Sequence, residues 1–187
     1  MAALQDLFLD RRHNLARNLR LDEMGELCKI PVTIVPHPKD LPQFLGIAEA
    51  QFQAGKELTF ATIEQASGTV VGCTRYRSIE FAHKRLEIGF TFIGRSWQRT
   101  HVNTEAKLLM LTHAFDQLRF NRVELITDVL NEKSRTAIAR IGAKEEGVLR
   151  SHMVMLNGRI RDSALYSITS AEWPRVKAHL TAKLLTA

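Results

Sequence analysis

The sequence predicts an α+β fold, a largely antiparallel sheet flanked by helices, and three observations carry that prediction. Three β-patterned runs follow one another between Leu58 and Gly94, with turn residues between the first two. A stretch from Thr104 to Leu118 is apolar nearly all round, as a helix buried in a sheet protein must be. Strand and helix patterns then continue to the C-terminus, so the order is three strands, helix, strand, helix, hairpin, helix.

Each element rests on its own residues. Leu58, Phe60 and Thr62 alternate with Thr59, Ala61 and Ile63, and Ser67-Gly68 turns the chain into a second run, Thr69 to Tyr76, which makes a hairpin. The third run, Arg85 to Gly94, sets Leu86, Ile88, Phe90 and Phe92 on one face and Glu87, Gly89, Thr91 and Ile93 on the other. The buried helix presents Leu108, Leu109, Met110, Leu111, Ala114, Phe115 and Leu118. Val123, Leu125, Thr127 and Val129 alternate with Glu124, Ile126 and Asp128 as a strand. Asn131 caps the next helix, which carries Ser134, Ala137, Ile138 and Ile141 and ends at Gly142. Two β-like runs flank Asn157-Gly158, a dipeptide suited to a tight primed turn, and a closing helix starts at Ser170 with Trp173, Val176, Leu180 and Leu184 inward. Upstream, Asp22–Lys29 and Pro38–Ala54 read as helices, the second with Leu41, Phe44, Leu45, Ala48 and Phe52 at helical spacing. Leu4, Leu7, Phe8, Leu15 and Leu19 also fit helical spacing.

Composition bounds the function. With 187 residues, 45% hydrophobic and 25% charged, and no repeat or low-complexity linker, the chain suits one domain over residues 1–187. No stretch has the ~18 apolar residues of a membrane span, and Asp6 and Asp10 stand where a signal peptide would be apolar, so the expected location is the cytoplasm. Cys28 and Cys73 match no metal or redox spacing and read as reduced thiols, and the seven His residues form no ligand pattern, so no metal is expected. A net charge of +6 suits anionic company, a phosphorylated cofactor, RNA or a ribosome surface, without choosing among them. Lys and Arg are scattered and no aromatic-basic strip is present, so dedicated nucleic-acid binding is not indicated.

A strand, a short loop and a buried helix make an anion site, because the first helical N–H groups are unpaired and the helix dipole favours negative charge. Here the loop runs from Ser96 through Trp97, Gln98, Arg99, Thr100, His101 and Val102 to Asn103, Thr104, Glu105 and Ala106, and Arg99 adds a fixed positive charge. The alternative is structural: Asn103 or Thr104 caps the helix while Gln98 and Arg99 face solvent.

With these residues in view the chain resembles the GNAT acetyltransferase superfamily, in its ribosomal-protein-alanine N-acetyltransferase (RimJ/RimL-type) branch. The likeness runs nearly end to end, with a core of about residues 12–180. It is carried by Leu86-Glu87-Ile88-Gly89-Phe90-Thr91-Phe92, Asn103-Thr104-Glu105-Ala106-Lys107, Leu111-Thr112-His113-Ala114-Phe115 and Arg122-Val123-Glu124-Leu125. Asn131-Glu132-Lys133-Ser134, Ile141-Gly142-Ala143, Glu146-Gly147-Val148-Leu149-Arg150, Tyr166-Ser167-Ile168 and Glu172-Trp173-Pro174 follow in order. Arg12 to Leu27 resembles that branch's opening strand and first helix, which overrides the helical reading of Leu15 to Leu19.

The resemblance implies a mixed sheet split between its fourth and fifth strands, Arg85–Gly94 and Arg122–Val129, with the pantetheine arm of acetyl-CoA in the split. Phe92 and Ile93 would line it, backbone N–H groups from Arg99, Thr100, His101, Val102, Asn103 and Thr104 would hold the pyrophosphate after Gln98, and Asn131 and Ser134 would lie beside the thioester end or the pantetheine. Two departures stand out. The superfamily's loop reads Gln or Arg, two residues, Gly, one residue, then Gly or Ala; Gln98 fits, but His101 and Asn103 occupy the glycine positions, where side chains replace bare backbone. Ile138 stands where many members carry a Tyr that protonates the leaving thiolate, which leaves water or Ser134 as acid.

Glu87 is the leading general base, the one carboxylate on its strand face beside the implied split, with Asp128 as runner-up; the competing reading pairs Glu87 with Arg85 or Lys84. The activity implied is acetyl transfer from acetyl-CoA to a primary amine, on a protein N-terminus or a small molecule, by direct attack in a ternary complex. The competing functions are a non-catalytic acyl-CoA-binding or regulatory protein and, on the strength of the charge, an RNA- or ribosome-associated module. The expected partners are therefore an amine acceptor, no membrane and no nucleic acid, with a homodimer left open.

Overall fold

The computed structural model describes residues 41–64, 67–155 and 157–186. The strand and helix expected within Arg12–Leu27, the helix Asp22–Lys29 and Cys28 lie outside the described residues. The first described element, α1 (Leu41–Gln53), matches the helical spacing read from Pro38 to Ala54. A hairpin of β1 (Leu58–Ile63) and β2 (Val70–Glu80) follows, then β3 (Arg85–Ile93), α2 (Val102–Thr112), β4 (Arg122–Asp128), α3 (Glu132–Arg140), β5 (Lys144–Val154), β6 (Ile160–Thr169) and α4 (Trp173–Leu185).

The strands form one six-stranded sheet in the order β1-β2-β3-β4-β6-β5. Every neighbouring pair is antiparallel except β3 and β4, which run parallel. That pairing is short: Arg85, Leu86 and Glu87 meet Arg122, Val123 and Glu124, and there it stops. Past that point β3 runs on for six residues bonded to β2 alone among the described strands, while β4 stays bonded to β6 as far as Asp128. The sheet is therefore split in the middle.

One face of the sheet carries the core. Leu58, Phe60, Tyr76, Leu86, Ile88, Val123, Leu125, Ala164, Tyr166 and Ile168 pack there against Met110, Leu111 and Ala114 of α2, Ile138 of α3, and Trp173, Val176 and Leu180 of α4. The Phe115 and Trp173 rings stack 5.3 Å apart, and the Trp173 indole N–H donates to Asp116 at 2.7 Å. Asn131 caps α3 as its residue type requires, accepting the Ser134 N–H at 3.0 Å, and Gly142 ends that segment at φ +97°.

Three expectations change. The helix read as Thr104–Leu118 starts earlier, at Val102, and passes into a π-helical turn over His113–Gln117. The closing helix starts at Trp173 rather than Ser170: Glu172 folds back to accept the N–H and hydroxyl of Thr169, and Pro174 sits in the first turn, where a missing N–H costs nothing. The β5–β6 connection is wider than a two-residue primed turn. The Met155 N–H donates to the Arg159 carbonyl across three residues, and Gly158 takes the left-handed position at φ +80°.

Candidate active site

The alternation of β3 breaks at Phe90. Arg75 lies opposite Gly89 but Cys73 lies opposite Phe92, so β3 holds one residue more than β2 across this interval. The extra residue is a β-bulge, and Phe90 takes it at φ +47°, left-handed backbone that a bulky side chain adopts only under constraint. The consequence reverses part of the facial reading. Leu86 and Ile88 point into the core, whereas Phe92 falls on the Glu87 face with Cys73, Arg75 and Arg77, and Thr91 turns toward α2. The bulge sits beside the split, so it frees main-chain groups of β3 next to its unpaired edge.

Beneath the bulge, Lys107 of α2 donates to Thr91 Oγ1 at 2.7 Å and Thr74 Oγ1 at 3.1 Å, and the two hydroxyls share a 2.8 Å hydrogen bond. Burial without a carboxylate partner pulls the Lys107 amine down to about 7. This cluster ties the start of α2 to the bulge.

The loop from β3 to α2 closes tightly. Gln98 donates to the Ile93 carbonyl at 2.9 Å, Thr100 donates to the Trp97 carbonyl at 2.7 Å, and Val71, Ile93, Val102 and Trp97 pack together beneath. The left-handed turn comes at Arg99, φ +66°, while His101 has ordinary helical angles, φ −65° and ψ −23°. A side chain at His101 therefore carries no backbone penalty, and the glycine position filled by His101 needs no glycine here. Neither Asn103 nor Thr104 caps the helix; both lie in its first turn. Among the described residues, the N–H groups of Arg99, Thr100, His101, Asn103 and Thr104 make no hydrogen bond and the buried Asn103 Oδ1 has no partner. Such a run of unpaired donors at a helix start fits a pyrophosphate. The slot between β3 and β4 leads to it.

Glu87 occupies the last paired position before the split and is buried, 7% exposed. Its partner is neither Arg85 nor Lys84: Arg77 Nη1 stands 3.3 Å from Glu87 Oε1, while Arg85 pairs with Glu80 and Glu124. Burial raises the Glu87 pKa, and Arg77 opposes the rise. Asp128, the runner-up, is bound by Arg159, accepts the Leu130 N–H at 3.0 Å and is held below the usual carboxylate range by that arginine, which suits an ion pair rather than a base. Ser134 lies half-buried in the first turn of α3 beside Asn131. Ile138 is buried in the core. Cys73 is fully buried, and desolvation pushes its thiol up to about 12, so it is no nucleophile. Arg75, Arg77, Glu57 and Lys107 were not picked out from the sequence. Strand parity once the register is known is the signal that groups the first two with Glu87.

Comparisons with known proteins bear on the family and the fold. The GNAT acetyltransferase domain family matches residues 17–144. YdaF of Bacillus subtilis (strain 168), whose name proposes a ribosomal N-acetyltransferase, is 33% identical over 106 residues, which span 57% of this chain and 57% of YdaF. A crystal structure of a GCN5-related N-acetyltransferase from Brucella melitensis is similar with TM-score 0.78 and 31% identity, covering 87% of this chain and 76% of that one. Mycobacterium smegmatis RimJ, in complex with CoA-disulfide, shares the fold with TM-score 0.73 and 23% identity, covering 89% of this chain and 87% of that one.

Proposed function

Because the chain belongs to the GNAT acetyltransferase family, we propose that it moves the acetyl group of acetyl-CoA to a primary amine by direct attack while both substrates are bound. The observation that carries this reading is the parting of β3 and β4 after Glu87 and Glu124, with unpaired N–H donors of the α2 start at the open end. A bound acetyl-CoA supplies an activated acetyl thioester, and the residues of this chain do the rest. The N–H groups of Arg99, Thr100, His101, Asn103 and Thr104 would hold the pyrophosphate, Val102 giving its own N–H to Thr100 Oγ1 at 3.4 Å, and the guanidinium of Arg99 would add charge beside it. Phe92 and Ile93, with the free edge of β3, line the pantetheine arm, and Asn131 and Ser134 flank its far end.

An acceptor amine with a pKa near about 8, or roughly 10.4 on a Lys side chain, arrives mostly as ammonium and must lose a proton before it attacks. Glu87 takes that proton, directly or through one water, and its burial makes it a better base than an exposed carboxylate. The departing thiolate needs little help, since thiols of pKa roughly 8.5 leave without full protonation; water or the Ser134 hydroxyl supplies the proton, Ile138 having none to give. The name of the Bacillus relative, a ribosomal N-acetyltransferase, makes a protein amine the first acceptor to try.

Acetyl-CoA should raise the stability of the fold by roughly 2.7 kcal/mol at about a hundred times its dissociation constant. A melting temperature unmoved at millimolar acetyl-CoA overturns the proposal. Thiol release from acetyl-CoA, measured against peptides beginning with Ala or Ser and against small amines and polyamines, assigns the acceptor. Asn103→Ile should weaken CoA binding while the fold persists, because a branched side chain then crowds the helix start; unchanged affinity would place the phosphates elsewhere.

A further inference from the structure

The face that bears Glu87 also carries a charge ladder to which the proposed chemistry assigns no part so far. Glu57, just before β1, divides its carboxylate between two arginines of β2: Arg75 Nη1 at 3.0 Å from Oε2 and Arg77 Nε at 2.9 Å from Oε1. Arg77 then reaches on to Glu87. Arg75 is clamped, its guanidinium 4.5 Å from the Phe44 ring of α1 and 4.5 Å from the Phe90 ring of the bulge, with only 4% of its side chain exposed. Glu57 is thus anchored by a buried arginine, and it fixes the fork of Arg77 in turn.

A guanidinium grips a carboxylate best through two parallel N–H bonds of about 2.7–2.9 Å. The Nε edge of Arg77 is already committed to Glu57, so Glu87 receives a single contact of 3.3 Å. Two other groups face Glu87: Glu124 across the parallel register, itself held by Arg122 at 2.8 Å and Arg85 at 3.5 Å, and Arg161 of β6. After burial, Arg77 is the largest influence on the Glu87 carboxyl and lowers its pKa; Glu124 and Glu57 raise it, and Arg161 lowers it.

We propose that Glu57 and Arg77 are positioning residues for Glu87: Glu57 holds the Arg77 fork back, so that Glu87 keeps a carboxylate free to take a proton instead of closing into a bidentate ion pair. This rests on the reading of Glu87 as the base. It assigns opposite effects to the two partners. Loss of Arg77 removes the cation, and loss of Glu57 releases that cation onto Glu87 while deleting a neighbouring anion.

The test is a 13C titration of the Glu87 side-chain carboxyl in the full chain, its signal assigned by its disappearance in Glu87→Gln. The midpoint should rise by about one unit in Arg77→Gln and fall by about one unit in Glu57→Gln. Unmoved midpoints, or movement of both in the same direction, overturn the proposal. Should Glu57→Gln not fold because Arg75 loses its partner, Arg77→Gln decides alone, since it leaves the Glu57–Arg75 pair intact; a midpoint that fails to rise is then the refuting result. Turnover of Glu87→Gln separates the two claims. If that variant is inactive while the midpoints stay put, only the positioning role falls. If it turns over normally, the base assignment falls and the positioning role with it.

Discussion

Glu87→Gln keeps the volume of the side chain and an acceptor for Arg77, but at neutral pH it cannot take a proton. The structure indicates that the fold will tolerate it. Arg77 stays held by Glu57 at 2.9 Å, and the contact given up is a long one at 3.3 Å. Its loss, about 1 kcal/mol, is offset by no longer burying an ionised carboxylate, so the melting temperature should move by no more than a few degrees. The rate should fall by on the order of a hundredfold, about 2.7 kcal/mol of barrier, the usual worth of a positioned base. Steady-state thiol release across pH, at saturating acetyl-CoA, measures it. The gap between wild type and variant should narrow as pH rises past the acceptor pKa, because the amine is then already neutral. Near-normal turnover at neutral pH refutes the assignment of Glu87, and a gap that stays constant with pH refutes proton abstraction in favour of a binding or packing role.

Gly89→Ala would set a methyl 2.5 Å from Glu87 Oε1 and 3.2 Å from Arg77 Cδ, so turnover should fall by about tenfold or more while the thermal midpoint falls little; the opposite pattern would show that the strand, not the carboxylate, gives way. Asn131→Ala removes the cap of α3 and should cost about 1 kcal/mol, or ~2–4 °C by calorimetry. Glu146 is pulled down to about 2, first by Arg122 at 2.5 Å and then by the Ser167 hydroxyl at 2.6 Å, and Glu172 is pulled down to about 2, first by Lys144. Folded values below the unfolded ones mean that this stabilisation is complete above the ordinary carboxylate pKa, 4.5, and is lost as pH falls from there toward about 2. Acid melts of Glu146→Gln should show a shallower loss over that window, and an unchanged slope would count against the ion pair.

Much of the scaffold was legible because local pattern and tertiary demand agree. The β1–β2 hairpin alternates over a turn, α2 sends Ala106, Met110 and Leu111 of its apolar run into the interior, and Asn131 caps a helix in the way its side chain favours. The face that bears Glu87 was less legible. Period-two alternation assumes one residue per step, and the bulge at Phe90 breaks that assumption, which is why Phe92 could not be placed from the pattern of β3 alone. The Glu57–Arg77–Glu87 ladder joins residues whose proximity depends on the β1–β2–β3 register, a long-range property that no local spacing encodes. The helix boundaries moved for local reasons: the left-handed turn at Arg99 lets α2 begin at Val102, and the Thr169–Glu172 contact delays α4.

The short β3–β4 seam has a mechanical corollary. Three residue pairs join the half-sheets β1-β2-β3 and β4-β6-β5, too few backbone bonds to dictate how far apart their ends stand. The Arg85–Glu124 ion pair crosses the seam, and one apolar cluster on the helical face spans both halves, with Leu58, Phe60 and Leu86 of one half and Val123, Leu125 and Tyr166 of the other packed together with Leu111 of α2. The slot therefore behaves like the jaws of a clamp whose opening is set by the size of the parts at its pivot. Close-packed interiors transmit changes of a single methylene. Core residues such as Leu111, Leu86 and Leu125 thereby become the dial on its width.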